Sequence, residues 1–321
     1  MSEKLKIAFY WAASCGGCEV AILDIDEKIL DVVAIADIVF WPVAIDVKYD
    51  DVRAMEDKSV DVTFFNGSIR TEENAELARL LRAKSKVLVA FGSCSCFGGV
   101  IGLGNLSTKE ELLHRAYITS DSTDNPEQIT PQLHYKEVHI PDILHANYAL
   151  DQVVDVDYYL PGCPPKDTLV WNAVEAIASG KLPAKGAVLA PNITLCHDCP
   201  REKLEERAIK EFKRIYDFQP NETDCLLEQG LICMGPATRS GCDASCVSVN
   251  MPCRGCMGPT DQVIDQGAKM ISVLGGLIDS DDPDEVKEIV KTIVDPVGTF
   301  YYFGVSKSLI KQSDVKKEVK E

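Results

Sequence analysis

The chain has 321 residues, of which 46% are hydrophobic, and a formal net charge of −17. A surface this acidic repels nucleic-acid phosphates and anionic lipid, which argues against a nucleic-acid-binding protein. The chain contains no run of about 18 apolar residues and begins without the long apolar stretch of a secretory signal, so we expect a cytoplasmic protein with no membrane span.

Short β-type segments alternate with amphipathic helices through the first half of the chain. The sequence predicts strands over Lys6–Trp11, Ile38–Trp41, Val60–Phe65, Lys86–Phe91 and Val153–Leu160. It predicts helices over Glu19–Ala34, Glu72–Lys84 and Asp167–Ala178. We interpret the stretch Ser107–Asn147 as an irregular insertion. Strands that alternate with helices indicate an α/β fold with a mostly parallel sheet covered on both faces.

Beyond Gly180 the pattern changes, and strands become hard to find. Charged segments predict helices over Arg201–Tyr216 and Asp284–Val294. Between them lies a stretch rich in Gly, Pro and Cys, from Cys225 to Pro259. The final residues, Lys307–Glu321, are typical of a charged tail or a frayed helix.

Thirteen cysteines are the main feature of the composition. In a reducing cytoplasm so many thiols do not form a disulfide framework, and an odd number leaves one thiol over from any full set of bridges. These side chains must therefore pack as small apolar groups, carry out redox chemistry or bind metal.

The cysteines of the first half follow the ends of predicted strands. Cys15 and Cys18 form a C-x-x-C after the first strand. Cys94 and Cys96 stand in a Gly-rich loop after the fourth strand, and Cys163 stands in Pro-Gly-Cys-Pro-Pro after the fifth. Parallel strands end at one edge of a sheet, where open α/β sheets bind ligands. We therefore expect these thiols to meet in one crevice, where glycines let the backbone approach a bulky cofactor.

Four thiolates from these loops suit either a [4Fe–4S] cluster or a tetrahedral zinc ion. The glycine spacing favours Cys94 over Cys96 as the third ligand, which makes Cys96 a packed neutral thiol. Two other interpretations stay open. The cysteines after the fourth and fifth strands could be small buried side chains, or Cys15 and Cys18 could form a thioredoxin-like pair, which would give Cys94 and Cys163 no role.

Eight further cysteines lie within about sixty residues of the second half: Cys196, Cys199, Cys225, Cys233, Cys242, Cys246, Cys253 and Cys256. Eight thiols that include two C-x-x-C pairs predict two four-ligand sites. Zinc would serve in a structural site. Three sites in one chain, one of them in a sheet crevice, favour a path for electrons instead, because zinc has no redox chemistry.

The motifs in this order resemble those of nickel–iron hydrogenase small subunits. The likeness lies in the first C-x-x-C, in Gly92-Ser93-Cys94 followed by Gly98-Gly99, and in Pro161-Gly162-Cys163-Pro164-Pro165. It covers nearly the whole chain. It implies a flavodoxin-like doubly wound parallel sheet over residues 1–180, followed by a mostly irregular and helical iron–sulfur domain over residues 181–321.

The resemblance implies three [4Fe–4S] clusters. The proximal cluster, next to the active site of the large subunit, would use Cys15, Cys18, Cys94 and Cys163. The medial cluster would use Cys242, Cys246, Cys253 and Cys256. The distal cluster would use Cys196, Cys199, Cys225 and Cys233. Cys196 stands where the well-known respiratory members have a histidine, and Cys246 stands near their proline position, so both departures favour three four-iron clusters.

Within the superfamily the chain is similar to the cytoplasmic methyl-viologen-reducing hydrogenase of methanogens, the type that does not reduce coenzyme F420. The likeness lies in Cys18-Glu19, Ile69–Asn74 and Gly102–Leu106. It implies electron transfer from hydrogen oxidation in a large subunit to a small [2Fe–2S] subunit, and then to the flavin and iron–sulfur subunits of heterodisulfide reductase. No catalytic residue and no nickel are expected in this chain, although Glu19 is a candidate proton relay or helix cap.

Two other classes of protein stay open. One is the proximal-cluster subunit of a related oxidoreductase, such as an F420-reducing hydrogenase or NADH dehydrogenase. The NADH dehydrogenase relative has adjacent cysteines in place of the first C-x-x-C and lacks the eight later ones. The other is a zinc-stabilised interaction protein, which would be colourless, whereas a three-cluster protein is brown.

Overall fold

The computed structural model describes residues 4–131, 134–135, 137–204 and 209–310. Its strands are β1 (Leu5–Trp11), β2 (Ala36–Phe40), β3 (Val60–Asn66), β4 (Ile69–Thr71), β5 (Ser85–Phe91), β6 (His134–Tyr135), β7 (Val138–His139), β8 (Ile143–Tyr148) and β9 (Tyr158–Leu160). Its α-helices are α1 (Gly17–Leu23), α2 (Ile29–Ile35), α3 (Tyr49–Ala54), α4 (Glu72–Lys84), α5 (Gly92–Phe97), α6 (Lys109–Tyr117), α7 (Asp167–Ala178), α8 (Gln266–Leu277), α9 (Pro283–Lys291) and α10 (Pro296–Phe300). Within these ranges no helix has the length and apolarity needed to cross a bilayer.

Five of the strands form one parallel sheet in the order β2-β1-β3-β5-β9. Numbered along the chain, they have the order 2-1-3-4-5 of flavodoxin-like sheets. The predicted doubly wound α/β fold is therefore confirmed. The carboxyl ends of β1, β5 and β9 lie at one edge of the sheet, and each strand leads into a cysteine-bearing loop.

The sheet is apolar on both faces because other elements cover both. Along β1, Ile7 and Phe9 belong to one buried cluster, whereas Ala8 and Tyr10 belong to the other. Phe9 stacks on Phe64 of β3, with ring centroids 5.4 Å apart. Burial on both faces explains why these strands are continuous apolar runs in the sequence. The result is a rigid support for the loops at the edge of the sheet.

Two elements of the first half differ from the sequence prediction. The predicted helix Glu19–Ala34 is interrupted at Asp26, whose backbone has a φ of 54°. A short polar side chain tolerates this left-handed conformation, and the separate helices α1 and α2 result. The fifth strand spans only Tyr158–Leu160 rather than Val153–Leu160, because the chain first forms a 3₁₀ turn at Leu150–Gln152.

The stretch Ser107–Asn147 is more regular than predicted. It contains α6 and most of β8, and β8 pairs with β4 in antiparallel fashion. None of the side chains of α6 is buried, so apolar periodicity could not reveal this helix. The capping box of Thr108 and Glu111 was the available signal. By contrast, α4 and α7 have the predicted bounds.

The predicted helix Arg201–Tyr216 is wrong for the described part of that range, and residues 205–208 lie outside the described residues. The backbone bonds to distant segments instead, and the Glu202 N–H donates to the Thr223 carbonyl at 2.9 Å. The Arg201 side chain is buried, and its guanidinium donates to three backbone carbonyls of other loops. These long-range hydrogen bonds take the place of the regular backbone hydrogen bonds of a helix.

Helix α8, absent from the sequence prediction, carries Met270 and Leu274 into a third buried cluster. Cys233 and Cys253 belong to the same cluster, so cysteines are part of this core. Three glycines within α8 lower its helix propensity, which is why the sequence did not reveal it.

The later predicted helix corresponds to α9. The domain boundary at residue 180 stays a prediction, as does the tail, whose residues 311–321 lie outside the described ranges.

The segment around Ser306 packs against the first half of the chain. Ser306 is fully buried, and its hydroxyl accepts a hydrogen bond from Asn147 Nδ2 at 3.0 Å. The Ser306 carbonyl accepts from Gln152 Nε2 at 3.0 Å. Asn147 Nδ2 also donates to the carbonyl of Gly98, the residue that ends the short helix carrying Cys94. We call this set of bonds the Ser306 contact.

Replacing Gly98 by alanine is expected to destabilise the protein by about 3 kcal/mol. Gly98 has a φ of 92°, and a Cβ there would lie 2.2 Å from the Ser306 hydroxyl oxygen, so backbone strain and overpacking combine. Anaerobic urea unfolding followed by circular dichroism measures the loss. Gly180→Ala is the control, since Gly180 also has a positive φ but has no atom within 4 Å of its Cβ position. It should lose only about 1 kcal/mol, and equal losses would contradict the role of the Ser306 contact.

Candidate metal centres

Four thiols meet at the carboxyl edge of the sheet. Cys15 and Cys18 follow β1 on either side of Gly16 and Gly17, Cys94 lies in α5 directly after β5, and Cys163 follows β9. Cys18 is buried, and burial raises the pKa of its thiol, as does repulsion from the thiols of Cys94, Cys163 and Cys15. The structure thus brings together the four cysteines that the sequence grouped. We call them the proximal group.

The backbone approaches these sulfurs too closely for any side chain. A Cβ added to Gly92 would lie 2.3 Å from the Cys18 sulfur, and one added to Gly99 would lie 2.5 Å from the Cys94 sulfur. Gly92 also has a φ of 85°, a conformation that favours glycine. The Gly-rich loop therefore forms a cradle around the proximal group.

Cys96 has different surroundings from Cys94. It is fully buried, and its thiol donates a hydrogen bond to the Ala90 carbonyl at 3.3 Å. Burial raises the pKa of this thiol, which keeps the donor protonated. These contacts suit a packed neutral thiol rather than a ligand.

Glu19 is buried beside the proximal group. Its carboxylate accepts hydrogen bonds from Trp41 Nε1 and from Asn66 Nδ2. Burial raises the pKa of this carboxyl, while the two hydrogen bonds lower it. Glu19 stands in the first turn of α1, where a carboxylate favours the helix N-terminus, and its described bonds go to Trp41 and Asn66. The proton-relay role of Glu19 stays a prediction.

A second set of thiols surrounds a small cavity in the later half. We call it the distal group, and its members line that cavity: Cys196, Cys199, Cys225 and Cys233. Burial raises the pKa of Cys233 to about 12. Burial also raises the pKa of Cys196 to about 11, although Lys203 opposes the shift. A Cβ on Gly235 would lie 3.3 Å from the Cys196 sulfur, so the backbone is close to this group as well.

The remaining four cysteines are Cys242, Cys246, Cys253 and Cys256, which we call the medial group. Burial, followed by the thiols of Cys242 and Cys163, raises the pKa of Cys256 to about 12. Burial raises the pKa of Cys242 too, and the neighbouring Cys246 thiol adds to that shift. Cys246 itself is exposed, so the medial group also reaches the surface.

The medial group adjoins each of the other two. On one side, Cys163 is close enough to Cys256 for its thiol to raise the pKa of the Cys256 thiol and for its backbone to lower it. On the other side, the backbone N–H of Cys253 donates to the Cys233 sulfur at 3.3 Å. The medial group therefore neighbours both the proximal and the distal group, and we call this succession of neighbours, proximal to medial to distal, the row.

The donor sets suit metal centres that carry positive charge. Burial and mutual repulsion disfavour four bare thiolates in one place, whereas a bound metal supplies the compensating charge and takes the thiolate form. Among the described residues, no three Cys, His, Asp or Glu side chains are grouped as ligands of a single metal ion. Metal analysis of the purified protein distinguishes zinc from iron–sulfur clusters.

Sequence reasoning missed the buried polar side chains that hold the cysteine loops. Arg239 is 2% exposed, and its guanidinium donates to the carbonyls of Pro191 and Pro259 and pairs with Asp261. Arg201 holds other loops of the second half in the same way. Arginine is usually exposed, so no sequence pattern marks these residues.

Comparisons with known proteins show which families this chain is similar to. Residues 15–177 match the family described as NADH ubiquinone oxidoreductase, 20 Kd subunit. A chain of the F420-non-reducing hydrogenase of Methanothermobacter thermautotrophicus is 41% identical over 314 residues, which cover 97% of each chain. The iron–sulfur chain of the F420-non-reducing hydrogenase of Archaeoglobus profundus is 41% identical over 283 residues, 85% of this chain and 88% of that protein. A chain in the crystal structure of NAD+-reducing [NiFe]-hydrogenase in the H2-reduced state has a TM-score of 0.50 and 28% identity, over 56% of this chain and 94% of its own length.

Proposed function

Because this chain belongs to the nickel–iron hydrogenase small subunits of the F420-non-reducing type, we propose that it carries electrons through three [4Fe–4S] clusters away from a hydrogen-oxidising large subunit. As a hydrogenase subunit it is part of an oxidoreductase. The observation that carries the proposal is the row of three four-cysteine groups. Electron transfer from one cluster to the next requires the cluster sites to be neighbours.

The proximal group is proposed to hold the cluster nearest the large subunit. Cys15 and Cys163 are exposed, so this group opens at the surface where a partner can cover it. The family match ends at residue 177 and includes this group alone. The medial and distal groups lie beyond that match, and their eight cysteines distinguish this chain from a subunit with a proximal cluster only.

The residues around the sulfurs shape the environment of each proposed cluster. Such clusters accept and release single electrons at potentials set by hydrogen bonds to sulfur and by solvent exposure. Cys233 and Cys253 are buried, which keeps water from the junction between the distal and medial groups. The N–H bond from Cys253 to the Cys233 sulfur stabilises negative charge at that junction.

The downstream acceptors belong to the same proposal. Relatives named F420-non-reducing hydrogenase include proteins of methanogens, which supports a role connected with methanogenesis. The proposed acceptor is a small [2Fe–2S] subunit that passes electrons to the flavin and iron–sulfur subunits of heterodisulfide reductase. A cytoplasmic location is proposed because thirteen thiols require a reducing compartment.

An anaerobically purified, fully loaded chain is expected to contain about twelve irons and about twelve inorganic sulfides, because each Cys₄ group suits one four-iron cluster. Metal analysis by mass spectrometry and a sulfide assay measure both numbers. Nickel should be absent from the chain once it is separated from its large subunit. Stoichiometric zinc, or iron near four or eight per chain in a loaded sample, would overturn the proposal of three clusters.

A further inference from the structure

Ser93 contacts both the proximal and the medial loops. It is 1% exposed and precedes the ligand candidate Cys94. Its backbone N–H donates to the Gly162 carbonyl at 2.8 Å, which ties α5 to the loop that carries Cys163. Its hydroxyl donates to the Cys256 carbonyl at 2.6 Å, which ties the same helix to the medial group. The Ser93 side chain thus joins the proximal group to the medial group through a hydrogen bond between residues 163 positions apart in the sequence.

We propose that Ser93 is a positioning residue that fixes the spacing between the proximal and medial groups and thereby sets the rate of electron passage between them. This inference rests on the proposed function. Each passage moves one electron, so the proximal centre is oxidised and the medial centre is reduced. Hydrogen at the large subunit is the donor, a one-electron dye is the final acceptor, and no bond breaks in the step.

The hydrogen bonds and ion pairs between these groups are few among the described residues. The Cys163 backbone also acts on the pKa of the Cys256 thiol, and a side-chain substitution leaves that backbone in place. Lys166 also pairs with Asp243 between the two loops, but both side chains are partly exposed, and such pairs contribute little. The Ser93 hydroxyl is the buried side-chain link that a substitution can remove.

Loss of this hydroxyl leaves the part-buried Cys256 carbonyl without its described donor. An acceptor without a partner is costly where water has limited access, so the medial loop would shift until the carbonyl found water or another donor. Cys256 lies on that loop, so the shift changes the position of a proposed ligand relative to the proximal group. The consequence is a change in coupling between the two centres.

Ser95 offers a matched control in the same helix. It is also fully buried, but its hydroxyl has no hydrogen-bond partner among the described residues. Ser95→Ala therefore removes the same group from the same helix without breaking a link between the cysteine groups. Ser93→Thr retains the hydroxyl, and Ser93→Val has the shape of threonine without it.

The test uses the complex of this chain with its large subunit, purified anaerobically. Hydrogen-driven reduction of a viologen dye gives the rate, and electron paramagnetic resonance gives the magnetic interaction between the proximal and medial centres. Ser93→Ala is expected to slow dye reduction roughly tenfold, the lower range for loss of an outer partner of a metal ligand. The spectrum should show an altered proximal–medial interaction, while Ser95→Ala should match the parent in both measurements.

A Ser93→Ala complex with the parent rate and the parent magnetic interaction would overturn the inference. If that variant fails to assemble, the Thr and Val variants decide the question. The Thr variant should resemble the parent and the Val variant should be slow, whereas equal behaviour of the two would also overturn it. Failure of the proposed function has a different signature, since the parent complex would then lack iron or any hydrogen-dependent signal.

Discussion

Cys199→Ala is expected to abolish electron delivery to the downstream protein partner while hydrogen–deuterium exchange continues at the large subunit. The distal group is proposed to hold the exit cluster, whereas exchange needs only the hydrogen-activating site. Because loss of an outer partner of a metal ligand already costs 10–100-fold, loss of the ligand itself should lower delivery by roughly 100-fold or more. Partner reduction under hydrogen, measured by stopped-flow absorbance, and exchange, measured by mass spectrometry, give the two rates.

Cys18→Ala serves as the contrasting variant. Cys18 is the buried member of the proximal group, which is proposed to border the active site, so this change should impair both exchange and delivery. Both variants must first be shown to fold and to bind the large subunit, since loss of a cluster can unfold its surroundings. A folded Cys199→Ala complex that reduces the partner at the parent rate would show that either the exit assignment or the assignment of Cys199 as a ligand is wrong.

Gly92→Ala is expected to prevent assembly of the proximal centre and to remove about four of the roughly twelve irons. The new Cβ would lie 2.3 Å from the Cys18 sulfur, and the residue has a φ of 85°. Gly92 begins α5 directly after β5, and β5 pairs with β3 on one side and with β9 on the other. The backbone at Gly92 therefore cannot move without disturbing the sheet. Iron content and electron paramagnetic resonance of the anaerobic chain measure the loss.

Gly186→Ala separates the two causes of this effect. Gly186 has a φ of 89°, close to that of Gly92, but no atom lies within 4 Å of its Cβ position. This variant should retain its full iron content and lose only about 1 kcal/mol of stability. If Gly92→Ala bound as much iron as Gly186→Ala, the cradle around Cys18 would not be needed.

The sheet could be predicted because its strands are short apolar runs separated by helices of strong periodicity. Residues Glu72–Lys84 show this best, since a capping threonine and an apolar stripe agree on one helix. The helix prediction for Arg201–Tyr216 was wrong because the charged residues and scattered apolar residues of this segment fit a helical pattern locally. Arg201 is buried and bonds to carbonyls of distant loops, and no local pattern reports such a long-range competitor.

The proximal group could be predicted because the carboxyl ends of parallel strands share one edge of the sheet. The division of the later eight cysteines is different, since no α-helix or strand carries them. Cys233 and Cys253 are neighbours through a hydrogen bond, yet they are proposed for different clusters. Spacing alone cannot make that division, and the family resemblance was needed to propose it.

The Ser306 contact has a consequence for the order of events during synthesis. The Asn105 side chain meets Ser306 across a sequence separation of 201 residues, and Asn147 does so across 159. The ribosome releases the amino-terminal sheet first, but Asn105 and Asn147 gain their bonds to Ser306 only when residue 306 has emerged. At translation rates of roughly 5–20 residues per second this delay lasts on the order of ten seconds or more. During that interval Asn147, which donates to the Gly98 carbonyl at the end of the helix that carries Cys94, lacks its Ser306 partner.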